Sequence, residues 1–114
     1  MTTTATTIAT QVATLTIGEG RNGSGKLWLD GHHIFEPANM PAGTPYDVTY
    51  AAGVVTLTAS VDGKKRVHHH AASSNPVCDL TNRKIESCLG VGTRVIVTVA
   101  DGIITATAQQ RAWS

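Results

Sequence analysis

Two segments of this chain, residues 41–59 and 90–108, are copies of one another, and this repeat constrains the fold more than any other feature. At a constant offset of 49 residues, nine of the 19 paired positions are identical. Each copy alternates apolar and polar residues around a glycine, which is the pattern of a β-hairpin. Because one hairpin unit cannot bury its apolar face alone, two copies predict a pseudo-dimer folded within a single chain. The identical pairs are Gly43/Gly92, Thr44/Thr93, Val48/Val97, Thr49/Thr98, Ala51/Ala100, Gly53/Gly102, Thr56/Thr105, Thr58/Thr107 and Ala59/Ala108.

The elements around the two hairpins repeat in the same order of strand, short helix and hairpin. We therefore expect a mainly β, small α+β fold, in which tandem half-units form a pseudo-dimeric antiparallel β-barrel with one or two short helices. Closing the barrel would remove most exposed strand edges. The predicted domain is 10–108, made of half-units 10–63 and 76–108 joined by 64–75, with tails at 1–9 and 109–114.

Local signals define the remaining elements. A single helical turn is expected at His32–Phe35, and Pro37 prevents a longer helix. The best helix is predicted over 80–89, capped by Asp79 or Thr81 and ended by Gly90 or Gly92. The pair Asp101–Gly102 predicts a tight hairpin turn with positive φ at both residues. The glycines of 18–25 are interpreted as a hairpin-type turn rather than a phosphate-binding loop, since no helix is predicted after them.

The formal net charge of +1 is a weak electrostatic case for nucleic acid, because domains that bind it usually show a strong basic excess. No signal-peptide pattern and no long apolar run is present, so a cytoplasmic protein is expected. Cys78 and Cys88 are interpreted as structural thiols in a reducing compartment, with a disulfide across this short span as the alternative.

One dense basic run and one histidine run are the candidate binding features. If the fold brings the basic run near the predicted helix, a patch that contacts phosphates results; the alternative is a solvated loop. Alternate histidines of a strand share a face, but the spacing of a structural zinc site is absent, so we expect neither metal nor cofactor. No catalytic triad or nucleophile elbow is visible, and no enzymatic activity is expected. The candidate nucleic-acid or partner-binding residues are Lys64, Lys65, Arg66, His68, His70, Arg83 and Lys84.

The motifs LWLDG (27–31), PAGTPYDV (41–48) and GVVTL (53–57) resemble the AbrB/SpoVT/MazE swapped-hairpin group, with a closer similarity to its SymE-like branch. The segment ATLTIGEGRNGSGKLWLDG (13–31) is similar to a small N-terminal module found beside some phage DNA cytosine methyltransferases, and PVCDL (76–80) and GVGTRVIVTVADGII (90–104) are similar to the second half-unit that follows it there. The resemblance implies nucleic-acid binding, or toxin or regulator activity, in phage and other mobile elements. The chain departs from the family pattern at Pro37 and at the histidine run, where the family is usually rich in arginine and lysine.

Two functions follow as expectations. The first is a non-enzymatic regulator in the bacterial host cytoplasm that binds DNA or RNA through the basic patch, mainly at phosphates. The alternative is a phage-encoded inhibitor of a bacterial defence system, of the anti-CRISPR or anti-restriction type, which binds a host protein complex. Neither function involves a membrane, and the sequence leaves open a homodimer formed through an exposed strand edge.

Overall fold

Alternating valine, threonine and isoleucine place most of the chain in antiparallel strands, as the sequence predicts. A computed structural model describes residues 10–69 and 75–109. The fold is mainly β with two short helices. The strands are β1 (Thr10–Thr16), β2 (Gly18–Glu19), β3 (Gly25–Asp30), β4 (Pro45–Ala51), β5 (Val54–Ala59), β6 (Lys65–Arg66), β7 (His68–His69), β8 (Pro76–Asn82), β9 (Arg94–Ala100) and β10 (Ile103–Ala108), and the helices are α1 (His32–Phe35) and α2 (Arg83–Cys88).

The strands form two antiparallel sheets. The six-stranded sheet has the order β1-β9-β10-β5-β4-β6, and the four-stranded sheet has the order β2-β3-β8-β7. One hydrophobic cluster takes side chains from both sheets and both helices. Its largest fully buried members are Phe35, Ile17, Leu27, Leu29, Ile34, Met40, Leu57, Leu80, Ile85, Ile104, Val55 and Val95.

The expected closed barrel is not detected in the part of the chain that the structure describes. The reason lies at two buried corner residues, where the chain passes from one sheet to the other. Ile17 joins β1 of the six-stranded sheet to β2 of the four-stranded sheet, and Val67 joins β6 to β7 in the same way. The bend at each corner leaves two sheets linked at their edges in place of one continuous wall. Both corner residues exchange backbone hydrogen bonds with the same two positions of the repeat, Gly92 and Thr93 for the first corner and Gly43 and Thr44 for the second.

Strand pairing is symmetric under the 49-residue repeat. β5 pairs with β10 so that Thr56 lies opposite its own repeat partner, Thr105. β3 pairs with β8 so that Leu29 lies opposite Cys78, which is also 49 residues away. Reciprocal backbone hydrogen bonds follow the same rule, since the Ala59 N–H donates to Gly102 O and the Ala108 N–H donates to Gly53 O, both at 2.8 Å.

The two halves also exchange their edge strands. β1 pairs with β9 of the second hairpin, and β6 pairs with β4 of the first hairpin. β6 and β7 lie within the 64–75 connection, where β7 pairs with β8. Each hairpin tip reaches the helical region of the other half, because Gly53 N–H donates to Cys88 O at 2.8 Å and Gly102 N–H donates to Ala38 O at 2.7 Å.

The second helix starts later than predicted and has a different cap. β8 continues through Asn82, which pairs with Gly25, so α2 begins only at Arg83. The Asn82 side chain accepts a hydrogen bond from the Ile85 N–H at 3.0 Å, whereas the Thr81 hydroxyl donates to Asp79 at 2.6 Å. The predicted caps, Asp79 and Thr81, were therefore wrong, because both residues remain in the strand.

The glycine at the end of α2 and the turn of the second hairpin can also be compared with expectation. Gly90 follows the last helical turn with φ of 85°, which confirms the left-handed end. At the turn, only Gly102 has a positive φ, of 75°, and the equivalent Gly53 has 76°. Asp101 has no positive φ, so the second hairpin uses one left-handed residue rather than the expected two, and the first hairpin has Gly53 in its turn as expected.

Candidate binding groove

The fold brings two residues of the basic run, Lys64 and Lys65, and the start of α2 to the lining of one open groove. The groove has a volume of about 740 Å³ and lies beside β4. The sequence predicts a patch that contacts phosphates only if the basic run lies near this helix. Four of the five basic residues concerned, all but Arg66, line the groove. The lining residues are Asp47, Val48, Tyr50, Lys64, Lys65, Asn82, Arg83 and Lys84.

The remaining predicted site residues lie elsewhere. Arg66 faces away from the groove, and its Nη1 donates to Gly43 O at 3.2 Å. Arg66 and the exposed His68 line a neighbouring depression of about 370 Å³, which shares Lys64 and Lys65 with the groove. His70 lies outside the described residues. The predicted patch thus divides into a groove and a flanking surface.

A short hydrogen-bonded connection holds α2 against β4. Asn82 caps the helix through its carbonyl oxygen, while its amide nitrogen donates to the Tyr50 hydroxyl at 3.1 Å. The Lys84 ammonium lies 5.2 Å from the centroid of the Tyr50 ring, within the range of a cation–π contact. One asparagine therefore fixes both the start of the helix and its position against β4.

The basic run is held beside β4 because the chain turns tightly after β5. The backbone N–H of Lys64 donates to Asp47 Oδ1 at 3.2 Å. Asp47 is the only acidic side chain among the groove-lining residues, against four basic ones. The electrostatic character of the groove is therefore positive, with one local carboxylate at its floor.

The backbone edge of β4 is open along this groove. β6 pairs with β4 only at Pro45 and Tyr46. In the second half, β1 covers β9 from Arg94 to Val99. Within the described residues, β4 beyond Tyr46 pairs only with β5 on its other side.

The two halves differ where the groove lies. Positions that define the hairpin, such as the turn glycines, are identical in both copies, whereas Asp47 and Tyr50 are replaced by Ile96 and Val99. Tyr46 and Val95 are equivalent positions of the repeat. The edge residue opposite Tyr46 is Lys65, whereas the edge residue opposite Val95 is Leu15. The corresponding surface of the second hairpin thus lacks both the carboxylate and the tyrosine, and β1 covers its edge.

Sequence reasoning missed four lining residues, namely Asp47, Val48, Tyr50 and Asn82. A usable signal was present for two of them, because Asp47 and Tyr50 are positions at which the repeat copies diverge. No local pattern marks Val48, which is identical in both copies. Val48 lines the groove because, within the described residues, no strand pairs with this part of β4 on the side away from β5.

A buried tyrosine and cysteine form the other notable polar contact. Burial raises the pKa of the Cys78 thiol to about 11, although a hydrogen bond from Tyr46 and the charge of Lys65 act in the opposite direction. Burial, followed by the bond to Cys78, also raises the pKa of the Tyr46 hydroxyl. Both cysteines are free, with Cys78 buried and Cys88 partly exposed. The neutral thiol of Cys78 is a structural group at neutral pH.

Metal and membrane features were also sought in the described residues. Across 10–69 and 75–109, no three histidine, cysteine or acidic side chains converge in a geometry that could hold a metal ion. Neither of the helices found there has the length and apolar character needed to cross a membrane. Comparison with protein-family models, with curated proteins and with solved structures finds no match for this chain.

Proposed function

We propose that this chain is a non-enzymatic binding protein whose basic groove holds an acidic segment of a protein partner. The observation that carries the proposal is the convergence of Lys64, Lys65, Arg83 and Lys84 beside an uncovered strand edge. Cations around a groove favour an anionic ligand, and an open strand edge offers backbone groups that pair with another polypeptide. A partner with acidic side chains on an extended backbone satisfies both features.

Nucleic acid is the second candidate. The same four cations suit phosphate contacts, and the resemblance to the swapped-hairpin group implies nucleic-acid binding. Three observations favour protein instead. The net charge is only +1, the edge of β4 offers backbone groups for an added strand, and the partly buried ring of Tyr50 already contacts the Lys84 ammonium.

We also propose that the two halves form a swapped-hairpin pseudo-dimer of the AbrB-like type. The exchanged pairing of β1 with β9 and of β6 with β4 supports this interpretation. The reciprocal register around Thr56/Thr105 and Leu29/Cys78 supports it further. In a phage or mobile-element setting, binding of a host protein complex in the bacterial cytoplasm would make the chain an inhibitor of a defence system.

Paired charge-reversal variants test the proposed function. Lys64→Glu/Lys84→Glu changes the groove, and Arg21→Glu/Arg94→Glu makes the same charge change at exposed residues outside it. We expect the wild type and the control to retain the same protein from a bacterial lysate, and the groove variant to lose it. In parallel, binding to duplex and single-stranded DNA is measured between about 50 and 200 mM salt. Tight DNA binding that weakens by orders of magnitude with salt, with no protein retained, would contradict the proposal.

A further inference from the structure

We propose, on the basis of the function proposed above, that an extended acidic segment of the partner adds to the six-stranded sheet as a new antiparallel strand along β4. The added strand would lie beside Val48 and Tyr50, in the groove. The mode of recognition is strand addition, in which main-chain hydrogen bonds supply affinity and flanking side chains supply specificity.

The internal repeat supplies the template for this strand. In the second half, β1 lies antiparallel along β9, with Ala13 opposite Val97 and Thr10 opposite Val99. Val97 and Val99 are the repeat equivalents of Val48 and Tyr50. The equivalent place beside β4 has no strand among the described residues. The same backbone shape thus accepts an extended segment in one half and lacks one in the other.

Among the described residues, the connection from β5 to β6 keeps β6 from filling this place. β5 runs antiparallel to β4 and ends at Ala59, opposite Tyr46. The connection to β6 turns at once, with the Gly63 N–H donating to Ser60 O at 2.9 Å. β6 therefore meets β4 at its Tyr46 end and continues away from the rest of the edge.

The backbone groups at the open edge can be assigned by alternation. Pro45 O accepts from the Ser60 N–H, on the β5 side, whereas Thr44 O accepts from the Val67 N–H, on the edge side. Successive residues of an antiparallel strand direct their N–H and C=O groups to opposite sides. Val48 and Tyr50 therefore present theirs to the groove. Two residues with free donors and acceptors provide the pairing sites for an added strand.

The charges around the edge select the partner. The side chains of Lys64, Lys65, Arg83 and Lys84 all line the groove beside this edge. Acidic side chains on the added strand would be attracted to these cations. A second copy of this chain that paired through its own β4 would bring the same four cations, so like-charge repulsion opposes that arrangement.

An alternative role for edge lysines is to prevent unwanted strand pairing. The two roles make opposite predictions for an acidic strand. If the lysines recruit a partner, the acidic strand binds at the edge; if they protect the edge, no strand binds there. The probe is therefore a fluorescein-labelled seven-residue peptide of alternating glutamate and valine, and its binding to the full chain is followed by fluorescence anisotropy. Two analogues keep the charges but carry N-methyl groups on either all valine or all glutamate amides.

We expect the parent peptide to bind and at least one N-methylated analogue to bind at least about tenfold more weakly, since hydrogen bonds to β4 are lost. Val48→Pro, which removes the edge-facing N–H, should weaken binding by a similar factor, and Val48→Ala, which keeps that N–H, should weaken binding by a smaller factor. If Val48→Pro fails to fold, the N-methylated peptides still decide the result.

Other outcomes separate this inference from the function on which it rests. If Lys64→Glu/Lys84→Glu abolishes binding but N-methylation and Val48→Pro have no effect, strand addition is overturned and the acidic-partner function stands. Binding of a seven-nucleotide dT strand without binding of the peptide overturns both. A concentration-dependent dimer in sedimentation velocity that Val48→Pro abolishes assigns the edge to a second copy and overturns the inference.

Discussion

The tight turn between β5 and β6 depends on Gly63. A Cβ atom at this position would lie 2.7 Å from both the C and the Cα atoms of Tyr46, and closer still to its backbone nitrogen. Backbone atoms in a paired strand cannot move aside as a flexible side chain can. The close contact between Gly63 and β4 therefore excludes every residue with a side chain.

We expect Gly63→Ala to lower the free energy of unfolding by about 1–3 kcal/mol, through overpacking against β4. Urea denaturation measures the change. Gly18→Ala is the matched control, because its Cβ would meet no atom closer than 3.9 Å and the backbone there is not left-handed. Equal stabilities for the two variants would show that the Gly63 contact is not tight.

Cys78 predicts an alkaline dependence of stability. Because burial raises its pKa from 9.0 to about 11, the neutral thiol stabilises the fold fully below pH 9. That contribution disappears as pH rises through about 11, and it amounts to about 3 kcal/mol from the size of the pKa shift. Urea denaturation between pH 8 and pH 11.5 should therefore show a falling free energy of unfolding. The fall should be smaller in Cys78→Ala, and an identical pH profile for the variant would contradict this role.

At the scale of elements, equivalent strands of the two hairpins should respond differently to proline. The N–H of Val97 faces β1, whereas the N–H of its repeat partner Val48 faces the open edge. Proline is tolerated in a strand only where its missing N–H has no ladder partner. We expect Val97→Pro to cost about 1–3 kcal/mol through an unpaired buried carbonyl, and Val48→Pro to cost much less. Thermal and urea unfolding of the two variants measure this difference, and equal losses would show that the β4 edge is paired.

Sequence patterns were sufficient to locate the hairpin strands, but they were insufficient to predict which segments pair with those strands. Alternation and turn glycines located both hairpins, because these signals are local. The start of α2 was misplaced since pairing with Gly25 keeps Asn82 in β8, and a tertiary partner overrides local helix propensity. The open edge of β4 could not be predicted, because it depends on how far a two-residue strand reaches from the turn at Gly63.

For the whole molecule, the repeat predicted the symmetry of the fold better than its closure. The reciprocal registers of β5 with β10 and β3 with β8 follow the 49-residue offset. The corner bends at Ile17 and Val67, which leave two linked sheets, carry no sequence signal beyond an apolar residue. The convergence of Lys64 and Lys65 with Arg83 and Lys84 was foreseen only as a condition, since distance between two chain segments is a property of the packed fold.

The asymmetry of the molecule underlies the proposed function. Two nearly equivalent hairpins share a register, yet one has an edge covered by β1 and the other an open edge beside a groove lined by four cations. A duplicated fold that differs in charge and coverage at one place offers a single site in an otherwise symmetric scaffold.

Amide hydrogen exchange of the free protein, followed residue by residue by NMR, tests this asymmetry most directly. The amides of Val97 and Val99 should exchange slowly, because they face β1, and those of Val48 and Tyr50 should exchange much faster, because they face the groove. Comparison within repeat pairs controls for side-chain type at Val48 and Val97. Equal protection of Val48 and Val97 would mean that the edge is already occupied, and would contradict both the open groove and the partner proposed for it.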